Sequence, residues 1–521
     1  MLTLTGYDLT IVAVYLGSLW SIGLFVAYRH RREDESFLVN RRFGWFNVGC
    51  SIFATNIGPS FLLSYAAAGY TYGMVAANFE WLAWIFLFLL AVFFAPHYIR
   101  MRITTMPEFI RRRFGQRAAE FLSWYGLMII IVAWVGSEMF VGGRLLAEIL
   151  GLPEWQCLVG LAVVFTSFTV AGGFAAVMVT DTFQAMLMIL SMLILNVIAF
   201  SHIGSLDRLI QNIPGDHWML VRPASDAQYP WPAIFLGYPV LGFWFWCTDQ
   251  TIVQRMLGAR DLRQAQLGAA FTGFLKILPP FLFIMPGMFC LVLEPKLRSA
   301  DTVFVTMLSH YMPIGMLGLM ISVLGAASVA SVAGGLNAFS TIFTMDIYQR
   351  KVCPTASARH LKRVGQLVVV AVATAAVGAA LFLQQCGKTT IFDTLQGVTA
   401  YFAPPVATVF LLGILWKRAT AAAAVTTLYL GSTVSITLGI LDFLKLPYEG
   451  FWPHFMLMTL FLFIGCVVMM TVVSLLTHKA EYEEDFTIIK TGEAHQNTRP
   501  VVWLLFGLLA LIMAVIYFIF D

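Results

Sequence analysis

In the long apolar run "FGWFNVGCSIFATNIGPSFLLSYAAAGY" stand an amide, Asn56, a glycine–proline pair, Gly58 and Pro59, and a serine, Ser60. The sequence shows no nucleotide-binding loop, metal-ligand cluster or nucleophile–base pairing. The chemistry these residues offer is therefore binding, and the chain does not read as an enzyme. Pro59 has no N–H, so the helical bond back to the carbonyl of residue 55 is lost, and Gly58 adds flexibility. A break of this kind inside a bilayer survives only within protein or beside water. A lone Gly-Pro pair would do no more than kink a helix. A second set, Gly237, Pro239 and Gly242 in "PAIFLGYPVLGFWFWCTDQ", lies at the corresponding place in the second half of the chain. Paired broken segments of this kind point to a transporter built from inverted repeats, with substrate and coupling ion near the midplane.

The ionisable groups sharpen that reading. Lys276, in "FTGFLKILPPFLFIMPG", lies thirteen residues beyond Arg263, too far to snorkel easily. A lysine at the centre of a span costs about 2.5–3.5 kcal/mol, so it needs a carboxylate, hydroxyl or water. Glu138, in "WVGSEMFVGG", is mid-span and also needs a polar partner; Glu80, in "AANFEWLAW", stands at the start of its span. Asp181, near the inner end of its helix, is equally readable as an N-cap together with Thr180. Gln396 precedes Gly397 and the Pro404–Pro405 pair, so this span is not expected to be a plain helix. Phe245 and Trp246 would wall a cavity by stacking, although aromatic residues in spans also serve simple packing.

The elements that carry these groups follow from composition. The 521 residues are 59% hydrophobic and 12% charged, about half the usual charged fraction, which marks an integral membrane protein. The net charge of +4 gives no reason to expect nucleic acid. Seven scattered cysteines have no metal-ligand spacing and read as small buried hydrophobes. Fourteen apolar runs are long enough to span, near 7–28, 44–69, 76–99, 119–149, 155–173, 181–203, 231–252, 264–293, 313–343, 363–384, 389–416, 419–441, 453–477 and 500–520. With the N-terminus outside, the inner loops hold 24 of the 32 Lys and Arg residues, counting Arg255 in "RMLGARDLR". This asymmetry places both termini outside a plasma or inner membrane.

The stretches "FATNIGPS", "TTMPEFIRRRFG", "GGFAAVMVTDTFQ", "FWFWCTDQTIVQRML", "LNAFSTIFTMDIY" and "FAPPVATVFLLGILWKR" resemble the sodium:solute symporters, in particular the sodium/glucose cotransporter branch. The resemblance runs from about residue 35 to 420. It implies an all-α membrane protein of about fourteen helices, with LeuT-like inverted five-helix repeats, one helix before and three after. The expected divisions are 1–43, 44–203, 204–418 and 419–521. Residue by residue, the resemblance assigns substrate contacts to Asn56, Glu80, Lys276, Gln396 and Trp246. Three positions depart from the family: Phe61 where relatives carry His or Gln, Phe245 in place of an inner-gate Tyr, and Gly242 in place of a Thr.

The same resemblance implies Na+ as coupling ion, held by the carbonyls of Ala54, Ile57 and Ala327 and the hydroxyl of Ser331. Ala330 replaces a second serine ligand, and Ser328 is out of register to substitute. Ala333 and Gly334 lack the hydroxyls of a second sodium site, and Asp181 matches an acid near the ion exit path. The reading is sodium-coupled symport of a sugar-like or polyol solute by alternating access, with the bilayer as its other partner. Proton-coupled or uncoupled transport of another small polar metabolite, or a solute sensor that does not transport, are the alternatives. The solute and the oligomeric state are not specified by the sequence.

Overall fold

A computed structural model describes residues 5–29, 41–313, 315–386, 391–448, 450–477 and 500–520, which form helices with no named strand among them. Among these residues, eleven helices are long and apolar enough to cross a membrane, or twelve if one bent pair is a single span. Fourteen apolar runs thus exceed the spans that length and composition establish. Two runs lie in one helix, Glu154–Ile203, interrupted only at Gly173, whose φ of 59° and ψ of −165° are non-helical. The run at 231–252 gives a shorter apolar helix, Ala233–Thr248.

The helices that position the site are α1 (Gly6–Arg29), α2 (Trp45–Asn56), α3 (Pro59–Thr71), α4 (Gly73–Arg100), α5 (Gln116–Leu150), α6 (Glu154–Ile203), α7 (Ala233–Thr248) and α8 (Gln250–Leu257). They continue as α9 (Leu262–Leu293), α10 (Met316–Val352), α11 (Ala358–Cys386), α12 (Ile391–Leu415), α13 (Ala421–Phe443), α14 (Phe455–Leu476) and α15 (Pro500–Ile519). With 83% of its apolar window inside the protein, α10 is the central helix, packed against α1, α2, α5, α6 and α11. The Asp8 carboxylate on α1 accepts the Gly318 N–H at 2.7 Å, serving one of the orphan donors at the start of α10.

Proline frees carbonyls in these helices, and side chains from neighbouring helices take them up. Pro59 leaves the Thr55 carbonyl, which accepts the Ser331 hydroxyl at 3.0 Å. Pro286 leaves the Leu282 carbonyl, which accepts from the Asn196 amide at 3.0 Å. Pro404 and Pro405 leave the Ala400 and Tyr401 carbonyls, which accept from Thr459 at 3.2 Å and Ser435 at 2.6 Å. The expectation that the Pro404–Pro405 span departs from a plain helix is therefore corrected: α12 runs through both prolines. Each of these four carbonyls has a partner, as the absence of water in hydrocarbon demands.

The first break stands where the sequence put it, with α2 and α3 bent by 66° at Ile57 and Gly58. The second does not. Gly237 closes a π-helical turn, Ala233–Gly237, and Pro239 stands in the first turn of the α-helix that follows. The chain leaves helical geometry at Asp249 (φ −71°, ψ 131°), whose carboxylate caps the next helix through Thr251 N–H at 2.8 Å.

Between α6 and α7, the loop docks at the end of the last helix, with Leu220 N–H donating to the Phe520 carbonyl at 3.0 Å. In that loop, burial pushes the Asp226 carboxyl up. Hydrogen bonds from the Tyr229 and Gln228 N–H groups and from Arg222 outweigh it and hold the group below its usual range. The Tyr517 hydroxyl on α15 donates to Asn78 at 2.6 Å, two residues before Glu80.

Candidate functional site

The end of α2, the start of α4 and the middle of α9 meet at a buried polar node. The Lys276 ammonium donates to Glu80 Oε2 at 2.5 Å and to Asn56 Oδ1, while the Tyr65 hydroxyl donates to Glu80 Oε1 at 3.1 Å. The Lys276 side chain is 1% exposed, so its charge needs this pairing to survive. Three rings complete its surroundings: Trp246 at 5.2 Å, Phe61 at 5.6 Å and Phe53 at 5.7 Å, distances at which ring faces attract a cation. The partner that the sequence demanded for Lys276 is thus Glu80.

Beside the node lies a cavity of about 910 Å³ of atom-free space, which includes open solvent. Of the residues expected to contact substrate, Asn56, Phe61, Glu80, Phe245 and Trp246 line it. Lys276 does not: it sits behind Asn56 and Glu80 and fixes both. Gln396 lies on α12, but its side chain is outside the described residues; Thr399 on the same helix reaches the lining. Gly242 also lines the cavity, where a Cβ would come within 2.3 Å of the Phe86 ring, so this position is set by packing.

The lining includes residues that the sequence did not single out: Ser64, Tyr65, Trp134 and Tyr238. Tyr65 lies one helical turn after Phe61, and the two rings stack at 4.0 Å. The i, i+4 spacing puts Ser64 and Tyr65 on the face of α3 that also carries Ser60 and Phe61.

At the break, the Ile57 N–H reaches back to the Ala54 carbonyl at 3.2 Å, and Ile57 itself (φ −99°, ψ 89°) is not helical. Ser331 donates its proton to the Thr55 carbonyl, which leaves the hydroxyl's lone pairs unused by that bond. Ala327 lies four residues earlier on α10, on the face that Ser331 turns toward the break. Ser328 donates to the Leu324 carbonyl at 2.7 Å within its own helix and takes no part in this bridge.

Asp181 lies well inside α6 and is no N-cap; Thr180 likewise bonds back to Ala176. The Asp181 Oδ2 accepts from the Ser51 hydroxyl at 2.5 Å and stands 3.8 Å from Arg255 Nε. Arg255 is correspondingly buried, with 1% of its side chain exposed, and is not a loop residue as its place in "RMLGARDLR" suggested. Gly334 makes room for it, since a Cβ there would lie 2.5 Å from Arg255 Nη2.

Glu138 closes the cavity on the side of the break. Its carboxylate accepts from the Ser60 N–H at 3.1 Å and from the Ser60 hydroxyl, in the first turn of α3. It lies so close over Gly58 that a Cβ at that position would come within 2.3–2.5 Å of its atoms. A π-helical turn, Ile130–Gly136, sets the register that brings it there.

Comparison with known proteins places this architecture. Residues 36–431 match the model of the sodium:solute symporter family. The sodium/glucose cotransporter 1 of Oryctolagus cuniculus is 30% identical over 90% of this chain and 79% of its own length. The sodium/myo-inositol cotransporter 2 of the same species is 31% identical over 91% of this chain and 77% of its own length. A solved Na+-coupled sialic acid symporter, substrate-bound and outward-open, superposes with a TM-score of 0.79 at 22% identity, covering 92% of this chain and 99% of its own. That likeness bears out the all-helical, LeuT-like fold.

Proposed function

The chain belongs to the sodium:solute symporter family, and from that membership we propose that it moves a sugar-like or polyol solute across a membrane together with sodium. Two five-helix repeats, 44–203 and 204–418, would rock around a midplane site, with one helix before them and three after. The Lys and Arg asymmetry supports both termini outside.

The observation that carries this reading is the juxtaposition at the first break. The residues that face the cavity, Asn56, Ser60 and Phe61, flank within a few positions the backbone that Ser331 bridges. In our reading Ala54, Ile57 and Ala327 offer carbonyls and Ser331 a hydroxyl oxygen to sodium, a hard cation that prefers oxygen ligands. Sodium there ties α10 to the break, and α10 cannot swing away while it is bound. The held break presents the Asn56 amide and Glu80, braced by Lys276, to solute hydroxyls. Trp246, Phe245 and Phe61 cover the apolar ring faces of the solute. Asp181, paired with Ser51 and Arg255, lies on the route by which the ion leaves.

Ala330 contributes a methyl where a hydroxyl ligand is expected, and this one observation favours a second reading, coupling to protons. Binding separates the two. Purified protein titrated with glucose, mannose and myo-inositol should bind one of them about 5–150-fold more tightly in sodium than in potassium chloride, the usual span of such coupling. Lys276→Ala should weaken that binding, because Glu80 and Asn56 lose their brace. Affinity indifferent to sodium but raised by acid would favour protons.

A further inference from the structure

We propose that Glu138 is a specificity-determining residue that accepts a cationic amine on the solute, so that the preferred class is an amine-bearing polyhydroxylated compound. This rests on the reading of the cavity as the solute site. The cavity presents two carboxylates, and they are not equivalent. Glu80 is neutralised by Lys276 at 2.5 Å. Glu138 has no such partner: among the described residues its carboxylate meets only the N–H and hydroxyl of Ser60, and no Lys, Arg or His pairs with it. Those two bonds fix its direction and leave the group without a cationic partner among the described residues.

The neighbouring walls suit an organic cation. Trp134 and Phe245 lie with centroids 5.3 Å apart, and Phe245 meets Trp246 edge-on at 4.8 Å, so three rings form a corner of the same cavity. Ring faces attract ammonium groups most strongly where water is excluded. The remaining polar groups suit hydroxyls: the Asn56 carbonyl is taken by Lys276, which leaves its amide to donate, and the Ser64 hydroxyl reaches the same space. The cavity thus offers groups that read hydroxyls and a carboxylate that reads a positive charge. The Ser331 hydroxyl bonds the Thr55 carbonyl and not this carboxylate.

The test is a preference ratio measured by competition binding in sodium, with D-glucose, D-glucosamine and N-acetyl-D-glucosamine as probes. The pH is held where the glucosamine amine is protonated. Glucosamine should bind at least about tenfold more tightly than either neutral analogue, the scale of a hydrogen bond to a charged group in a buried site. Glu138→Gln should bring that ratio to about one, and Glu138→Asp should retain part of it. The ratio is read whatever the variants do to overall affinity. Equal binding of all three probes to the wild-type protein would overturn the inference while leaving sodium-coupled sugar transport standing. A Glu138→Gln variant that keeps the ratio but loses sodium dependence would overturn it in favour of an alkali ion at Glu138. No sodium-dependent binding of any probe or of myo-inositol would overturn the solute reading, and this inference with it.

Discussion

Ser331 does two things with one hydroxyl: it gives its proton to the carbonyl that Pro59 freed and keeps its lone pairs for an ion. Removing it should therefore cost twice. Ser331→Ala should weaken sodium affinity, read from the sodium dependence of solute binding, by about tenfold or more, the scale of a hydrogen bond or ligand to a charge. Ala330→Ser, which restores the second hydroxyl, should strengthen sodium affinity. If neither substitution moves the sodium dependence, the ion is held elsewhere. At this scale the sequence was legible where a lone residue violated its surroundings. Lys276 in hydrocarbon demanded a partner, and Gly58 with Pro59 announced a break. Tyr65 was not legible, because an aromatic residue on a spanning helix looks the same whether it packs or holds a carboxylate. Arg255 was misread because its neighbours in sequence are loop-like, whereas its partner, Asp181, is 74 residues away.

Among the elements, proline shows the same division. A proline in the sequence says which carbonyl is freed but not what takes it up, since the acceptor's partner comes from a distant helix. That is why the Pro404–Pro405 pair was expected to disturb its span, while Ser435 on α13 and Thr459 on α14 keep α12 helical. Truncating both, as Ser435→Ala with Thr459→Ala, leaves two carbonyls unpaired in an apolar core. Each should cost roughly 1–3 kcal/mol, visible as a lowered melting temperature in detergent. An unchanged melting temperature would mean that water already serves those groups. The second break was missed for the converse reason. Gly237, Pro239 and Gly242 look like breakers, yet the α-helix runs on from Tyr238 through Pro239 and Gly242 to Thr248. The chain leaves the helix at Asp249, where a side chain is ready to cap the next one. The capping residue, not the weak helix former, marked the boundary.

For the molecule as a whole, the buried acids around the two breaks, Glu80, Glu138, Asp181 and Asp249, outnumber the buried bases there, Arg255 and Lys276. Arg255 faces Asp181 at 3.8 Å and Lys276 pairs with Glu80, which leaves Glu138 without a cationic partner among the described residues. Such a core favours taking up positive charge from outside, which is what coupling to an ion requires. Because the linkage is reciprocal, a solute that binds more tightly with sodium must also tighten sodium. The direct measurement is uptake into liposomes of purified protein, with the solute that binds, under an imposed sodium gradient, an imposed proton gradient, or neither. The account predicts accumulation driven by the inward sodium gradient, none with equal sodium on both sides, and none under the proton gradient alone. Uptake that follows the proton gradient, or is the same with and without a sodium gradient, would contradict it.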